Sequence, residues 1–251
     1  MPKERDPRPS PLTGAPAGAP SRLGAHRFPE FRHLIDLARN AWSNGKRPWL
    51  GISMGTITVV VSILLRDPTI GRPLWHSGAV YASLPLPTEL ARLPMSLFLP
   101  TPYLPLWGAV AQLVVVLGLG ELVLGRLMTV AIATMGHVVA TLTARVVIDL
   151  VHASWFGLSP SLVHVLDTGP SAAVTAVGAY LLLSTGMNRC TALLCLGLLI
   201  GAVIVTGIDA VEHLVALACG LCPGFVSRYA STRRADGETV RLQHSFARQR
   251  R

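Results

Sequence analysis

The chain has 251 residues, a formal net charge of +9 and a mean hydropathy of +0.49; 51% of its residues are hydrophobic and 14% are charged. A soluble domain carries about 25% charged residues, so this composition excludes an ordinary soluble domain. The basic balance is not that of a nucleic-acid binder, because the charge sits at the chain ends and flanks apolar runs.

Residues 1–28, rich in Pro, Ala, Gly and Arg, contain no apolar signal region and read as a disordered basic tail. Residues 29–47 place Phe31, Leu34, Ile35, Ala38 and Trp42 at helical spacing among Arg32, Arg39, Lys46 and Arg47. That pattern predicts an amphipathic helix on the inner membrane surface. A membrane domain is expected over 48–227 and a basic tail over 228–251.

The first span is predicted at 48–65. Residues 66–104 hold many prolines yet remain apolar, and read as an outer loop with short helical pieces. The second and third spans, 104–124 and 126–148, are separated by a tight turn. A second outer loop covers 149–168, with Trp155 as an interface anchor. Spans four, five and six are expected at 169–186, 190–207 and 209–226. The expected fold class is thus an all-α bundle of six transmembrane helices. Eighteen Lys/Arg fall on the side of the termini; only Arg66, Arg72, Arg92 and Arg145 fall on the other. Both termini are therefore expected in the cytoplasm, and the protein in the cell membrane as a multi-pass chain.

Small residues should line the helix contacts: Gly197 and Gly201 in span five, and Ala216, Gly220 and Gly224 in span six. Four ionisable residues stand out within the spans: Glu121, His137, Asp209 and His213. His137 reads as a mid-membrane polar contact, with Glu121 a candidate partner. Cys190, Cys195, Cys219 and Cys222 read as small apolar packing residues rather than a redox or metal pair. Ser171 and His213 are expected at similar depth, just under the outer surface, one near the start of span four and the other on the small-residue stripe of span six. In contact they would form a nucleophile and base; the alternative is a packing serine and a hydrogen-bonded histidine. Asp167 or Thr168 would cap span four, and Pro170 suits its first turn.

Four stretches together resemble the rhomboid family. They are "GELVLG" (Gly120–Gly125), "GPSAAVTAVGAY" (Gly169–Tyr180), "EHLVALACG" (Glu212–Gly220) and the long first loop. "GHVVATL" (Gly136–Leu142) is similar to the divergent rhomboid-like proteins of high-GC Gram-positive bacteria. The resemblance implies an intramembrane serine protease that cuts transmembrane segments near the outer membrane face. Ser171 would be nucleophile and His213 general base, with Gly169, Pro170 and Ala172 forming the serine motif. Glu121, Gly125, Tyr180, Ala216, Gly220 and Gly224 match structural motif positions. Neither metal nor cofactor is implied. The partners would be transmembrane segments within the lipid bilayer, with no nucleic acid. The chain departs from the family pattern at Ala172 and Ala216, each in place of Gly. It also carries Pro105 and Ala109 where active members carry His and Asn as oxyanion donors. The alternative reading is a catalytically inactive rhomboid-like protein that binds and regulates transmembrane partners.

Overall fold

The computed structural model describes residues 29–99, 105–151, 169–204 and 208–249, with side chains described over 32–99, 105–150, 169–200 and 209–229. The expected N-terminal tail, most of the second outer loop with Trp155, the caps Asp167 and Thr168, and the side chain of Phe31 lie outside the described residues.

All the regular elements described are helices. α1 (Pro29–Ser43) leads into α2 (Trp49–Leu64). The first loop carries α3 (Pro68–Gly78) and α4 (Leu86–Ser96). Asp67 caps α3 by accepting the Thr69 N–H, and prolines open both helices, where a missing N–H costs nothing. α5 (Leu106–Gln112) passes through a π-helical turn (Leu113–Leu117) into α6 (Gly118–Leu124). Gly125, at φ +90°, then turns the chain into α7 (Arg126–Val151). α8 (Ser171–Ser184), α9 (Asn188–Ile204) and α10 (Ile208–Gln249) complete the order.

Among the described residues, three helical stretches are long and apolar enough to cross a membrane: Leu106–Leu124, Arg126–Leu150 and Asp209–Tyr229. Three apolar helices are shorter: Trp49–Leu64, Ser171–Ser184 and Asn188–Ile200. α10 does not break at the expected start of the basic tail; its backbone stays helical to Gln249.

α8 organises the bundle. It is apolar on every side, and nine of its fourteen residues, from Ala172 to Leu183, are buried. A helix of that length spans about 21 Å, against roughly 30 Å for a hydrocarbon core. Its neighbours approach through glycine. A Cβ on Gly136 of α7 would overlap that of Ala176, and a Cβ on Gly220 of α10 would overlap the Ala176 carbonyl oxygen. Gly224 meets Leu183 one turn further on, so α10 runs parallel to α8. Gly120 lies against both Thr129 and Val177, so α7, with Thr129 near Val177 and Gly136 near Ala172, runs antiparallel to α8. Gly197 of α9 meets no atom within 4 Å. The small-residue contact expected there does not form at that position.

α1 is anchored as well as amphipathic. Leu34 is buried against Leu181 and Met187, at the end of α8 away from Ser171. Ile35 and Trp42 remain exposed, and the Arg47 guanidinium lies 4.5 Å above the Trp42 ring.

Gly220→Ala is expected to destabilise the bundle by about 1–3 kcal/mol, the usual cost of overpacking. Gly197→Ala is expected to be neutral or to stabilise by up to ~1 kcal/mol, the gain in helix propensity. Thermal unfolding of the two variants in detergent checks the contrast.

Candidate functional site

The site forms where α4, α7 and α10 meet the start of α8. Gly169 adopts φ +116°, a conformation that favours glycine. Pro170 is the residue before the helix rather than part of its first turn; it is fully buried and offers no side-chain cap. Ser171 is the first helical residue and is half-buried; Ala172 behind it is buried. Gly136 packs against Ala172 and Ala176, and α7 continues some fifteen residues beyond it, or about 22 Å. Ser171 therefore lies well short of the far end of α7 along the bundle axis.

The parallel packing of α10 brings His213 level with Ser171. His213 precedes Gly220 by seven residues, about 10 Å of helix and nearly two full turns, so it shares the face turned to α8. Ser171 precedes Ala176 and Ala179 by five and eight residues, about 8–12 Å. Ala176 and Ala179 meet Gly220 and so face α10; Ser171 stands about 140° round from Ala176, in line with the half-buried Thr175, Gly178 and Leu182. Among the described residues no hydrogen bond joins Ser171 to His213.

The His213 ring is nonetheless held in one orientation. Its Nδ1 lies 2.6 Å from the Asp209 carbonyl oxygen, one turn back on α10. A carbonyl only accepts, so Nδ1 carries a proton; in a neutral ring the lone pair is then on Nε2. That is the tautomer a general base needs.

His137 has a different partner from the one expected. Its Nε2 lies 3.0 Å from the Ser96 hydroxyl, and both side chains are buried. The Ser96 hydroxyl donates to the Leu93 carbonyl at 2.9 Å. Its single proton is thereby used, so His137 Nε2–H donates to Ser96. The two histidines thus hold opposite tautomers. The Ser96 carbonyl also accepts the Gly169 N–H at 2.9 Å, which ties this pair to the turn before Ser171.

Glu121, on α6, joins two other elements. Its carboxylate accepts from Arg126 Nε at 2.8 Å and from the Leu50 N–H. Pro48 leaves the start of α2 without a side-chain cap, so Glu121 supplies an acceptor and a negative charge to that helix end. Two buried carboxylates, Glu89 and Glu212, were not among the four ionisable residues singled out from sequence. Arg145 Nη1 donates to Glu89 and to the Leu84 carbonyl, fixing α4 to α7. The alternation of charge and proline in the first loop gives no sign of that pairing; it needs the loop folded back onto α7.

Tyr180, Ala216, Gly220 and Gly224 serve packing, whereas Gly125 serves the turn between α6 and α7. Tyr180 and Ala216 are buried in one apolar cluster with Val177 and Ala176. Ala109 is buried and Pro105 exposed, and neither supplies a side-chain donor. Cys190, Cys195, Cys219 and Cys222 are unbridged, and Cys219 and Cys222 line an apolar groove of 640 Å³ between α7 and α10.

No family model, curated protein or solved structure matches the chain.

Arg145→Leu strips the guanidinium from a carboxylate that is only 1% exposed, and is expected to cost about 3–5 kcal/mol. The double variant Glu89→Leu/Arg145→Leu should recover part of that loss. Unfolding midpoints of the single and double variants test it.

Proposed function

We propose that the protein is a six-span rhomboid-like intramembrane serine protease of the cell membrane, with both termini in the cytoplasm. What supports this reading is the parallel α8–α10 contact at Gly220 and Gly224, from which helix rise puts Ser171 and His213 at a similar level, with the His213 Nδ1 turned to the Asp209 carbonyl. A short enclosed helix that starts with a serine also brings a hydroxyl and unsatisfied N–H groups below the membrane surface.

In the reaction, the Ser171 hydroxyl attacks a peptide carbonyl carbon of an unwound transmembrane segment, and His213 Nε2 takes its proton. The carbonyl oxygen becomes an oxyanion beside the first-turn N–H groups of α8. Collapse of that intermediate breaks the C–N bond, with His213 returning the proton to the leaving amine. Water, deprotonated by His213, then releases the acyl group and restores Ser171. Substrates with helix-breaking residues are favoured, because a regular helix engages its own carbonyls.

Specific features favour a second reading, an inactive relative that binds transmembrane partners. Ser171 and His213 are not hydrogen-bonded, although such bonds are often long before substrate binds. Pro105 and Ala109 also leave the oxyanion without side-chain donors, a loss of about 10²–10³ in rate.

Fluorophosphonate labelling in native-like membranes separates the two. A protease labels at Ser171, and Ser171→Ala and His213→Ala each reduce labelling by about 100-fold or more. A folded protein that does not label, or labels equally without His213, is a binding protein.

A further inference from the structure

Pro170 has no N–H, so within Gly169–Pro170 only the Gly169 N–H is available to fix the turn that leads to Ser171. Its acceptor is the carbonyl of Ser96, at 2.9 Å. Ser96 is the last residue of α4, where helix carbonyls lack partners of their own. The same carbonyl also takes the Leu99 N–H at 3.2 Å. Ser96 is in turn fixed on both sides, by its bond to Leu93 and by the His137 Nε2–H. His137 follows Gly136, the residue that lets α7 close on Ala172 and Ala176. Three elements distant in sequence therefore converge on the residue pair immediately before Ser171.

We propose that Ser96 and His137 are a positioning pair: they hold the Gly169–Pro170 turn and so set the direction of the Ser171 hydroxyl. The catalytic half of this proposal rests on the protease reading; the anchoring half does not. His137 acts as a donor to Ser96, and the Nε2 proton that makes it a donor removes it as a base for Ser171. That division leaves His213 as the base, and it makes a histidine necessary only for the N–H it presents. Glutamine, whose amide nitrogen extends to a similar reach, should replace it; leucine, of similar bulk, should not.

The test compares Ser96→Ala, His137→Leu and His137→Gln with the unaltered protein in native-like membranes. Two readouts are taken: the fluorophosphonate labelling rate at Ser171, and amide hydrogen exchange over 169–174. Ser96→Ala and His137→Leu are expected to slow labelling by roughly 10- to 100-fold, the scale of a misplaced reacting group, and to speed exchange. His137→Gln is expected to restore both toward the unaltered values. Unchanged exchange in Ser96→Ala and His137→Leu overturns the proposal. So does equal loss in the Leu and Gln variants that merely follows the folded fraction, or labelling that stays at the unaltered rate. If the unaltered protein does not label while exchange responds as expected, the anchor stands and the protease reading fails.

Discussion

A short helix, buried along most of its circumference, sets the terms for the rest of this protein. α8 has fourteen residues and no polar face, so every neighbour must come close enough to cover it. Glycine makes that approach possible at Gly136, Gly220 and Gly224, where a side chain would collide with or press on α8. The shortness of α8 also leaves its first turn below the end of α7. Backbone N–H groups there sit among protein atoms, where an unmet donor is costly. The Ser96 carbonyl takes the Gly169 N–H just before that turn, and Ser171 and His213 lie close to it in level.

The two histidines illustrate how a neighbour decides what an imidazole does. His213 faces a carbonyl, which fixes the proton on Nδ1 and leaves a lone pair on Nε2. His137 faces a hydroxyl already committed to another carbonyl, which fixes the proton on Nε2. One ring is arranged to take a proton and the other to give a hydrogen bond. The acidic residues near the spans are committed differently. Glu121 holds the start of α2 to α6 and α7, and Glu89 holds the first loop to α7 through Arg145. Each is bound to a cation, as a buried carboxylate requires.

The first loop is thereby part of the bundle. Val61, Ala79 and Leu99 bury a small apolar core beneath it, Arg92 donates to the Ala79 carbonyl, and Ser96 reaches the start of α8. A change in α4 is therefore felt at Ser171, although some seventy-five residues separate them in sequence.

Much of this was legible from the amino-acid order alone. Apolar runs closed by Gly125, Arg126 and Gly186 located the helices to within a few residues, except the end of α10, which runs on to Gln249, because burying an unpaired backbone group is costly and turns need special conformations. The prolines of 66–104 forecast short helical pieces, and α3 and α4 are those pieces. The Ser171 and His213 positions also stood out, because polar residues in apolar runs are few. What the order of residues left undetermined were contacts between elements. The pairing of His137 with Ser96 instead of Glu121, and of Glu89 with Arg145, depends on how the first loop folds onto α7. The position of Ser171 relative to the end of α7 depends on the length difference between α7 and α8. The open surroundings of Gly197 depend on where α9 lies. Local pattern fixes which residues are helical and which faces are apolar; only packing in three dimensions chooses among several chemically equivalent partners, because hydrogen bonds and ion pairs form by proximity in space, whatever the separation along the chain.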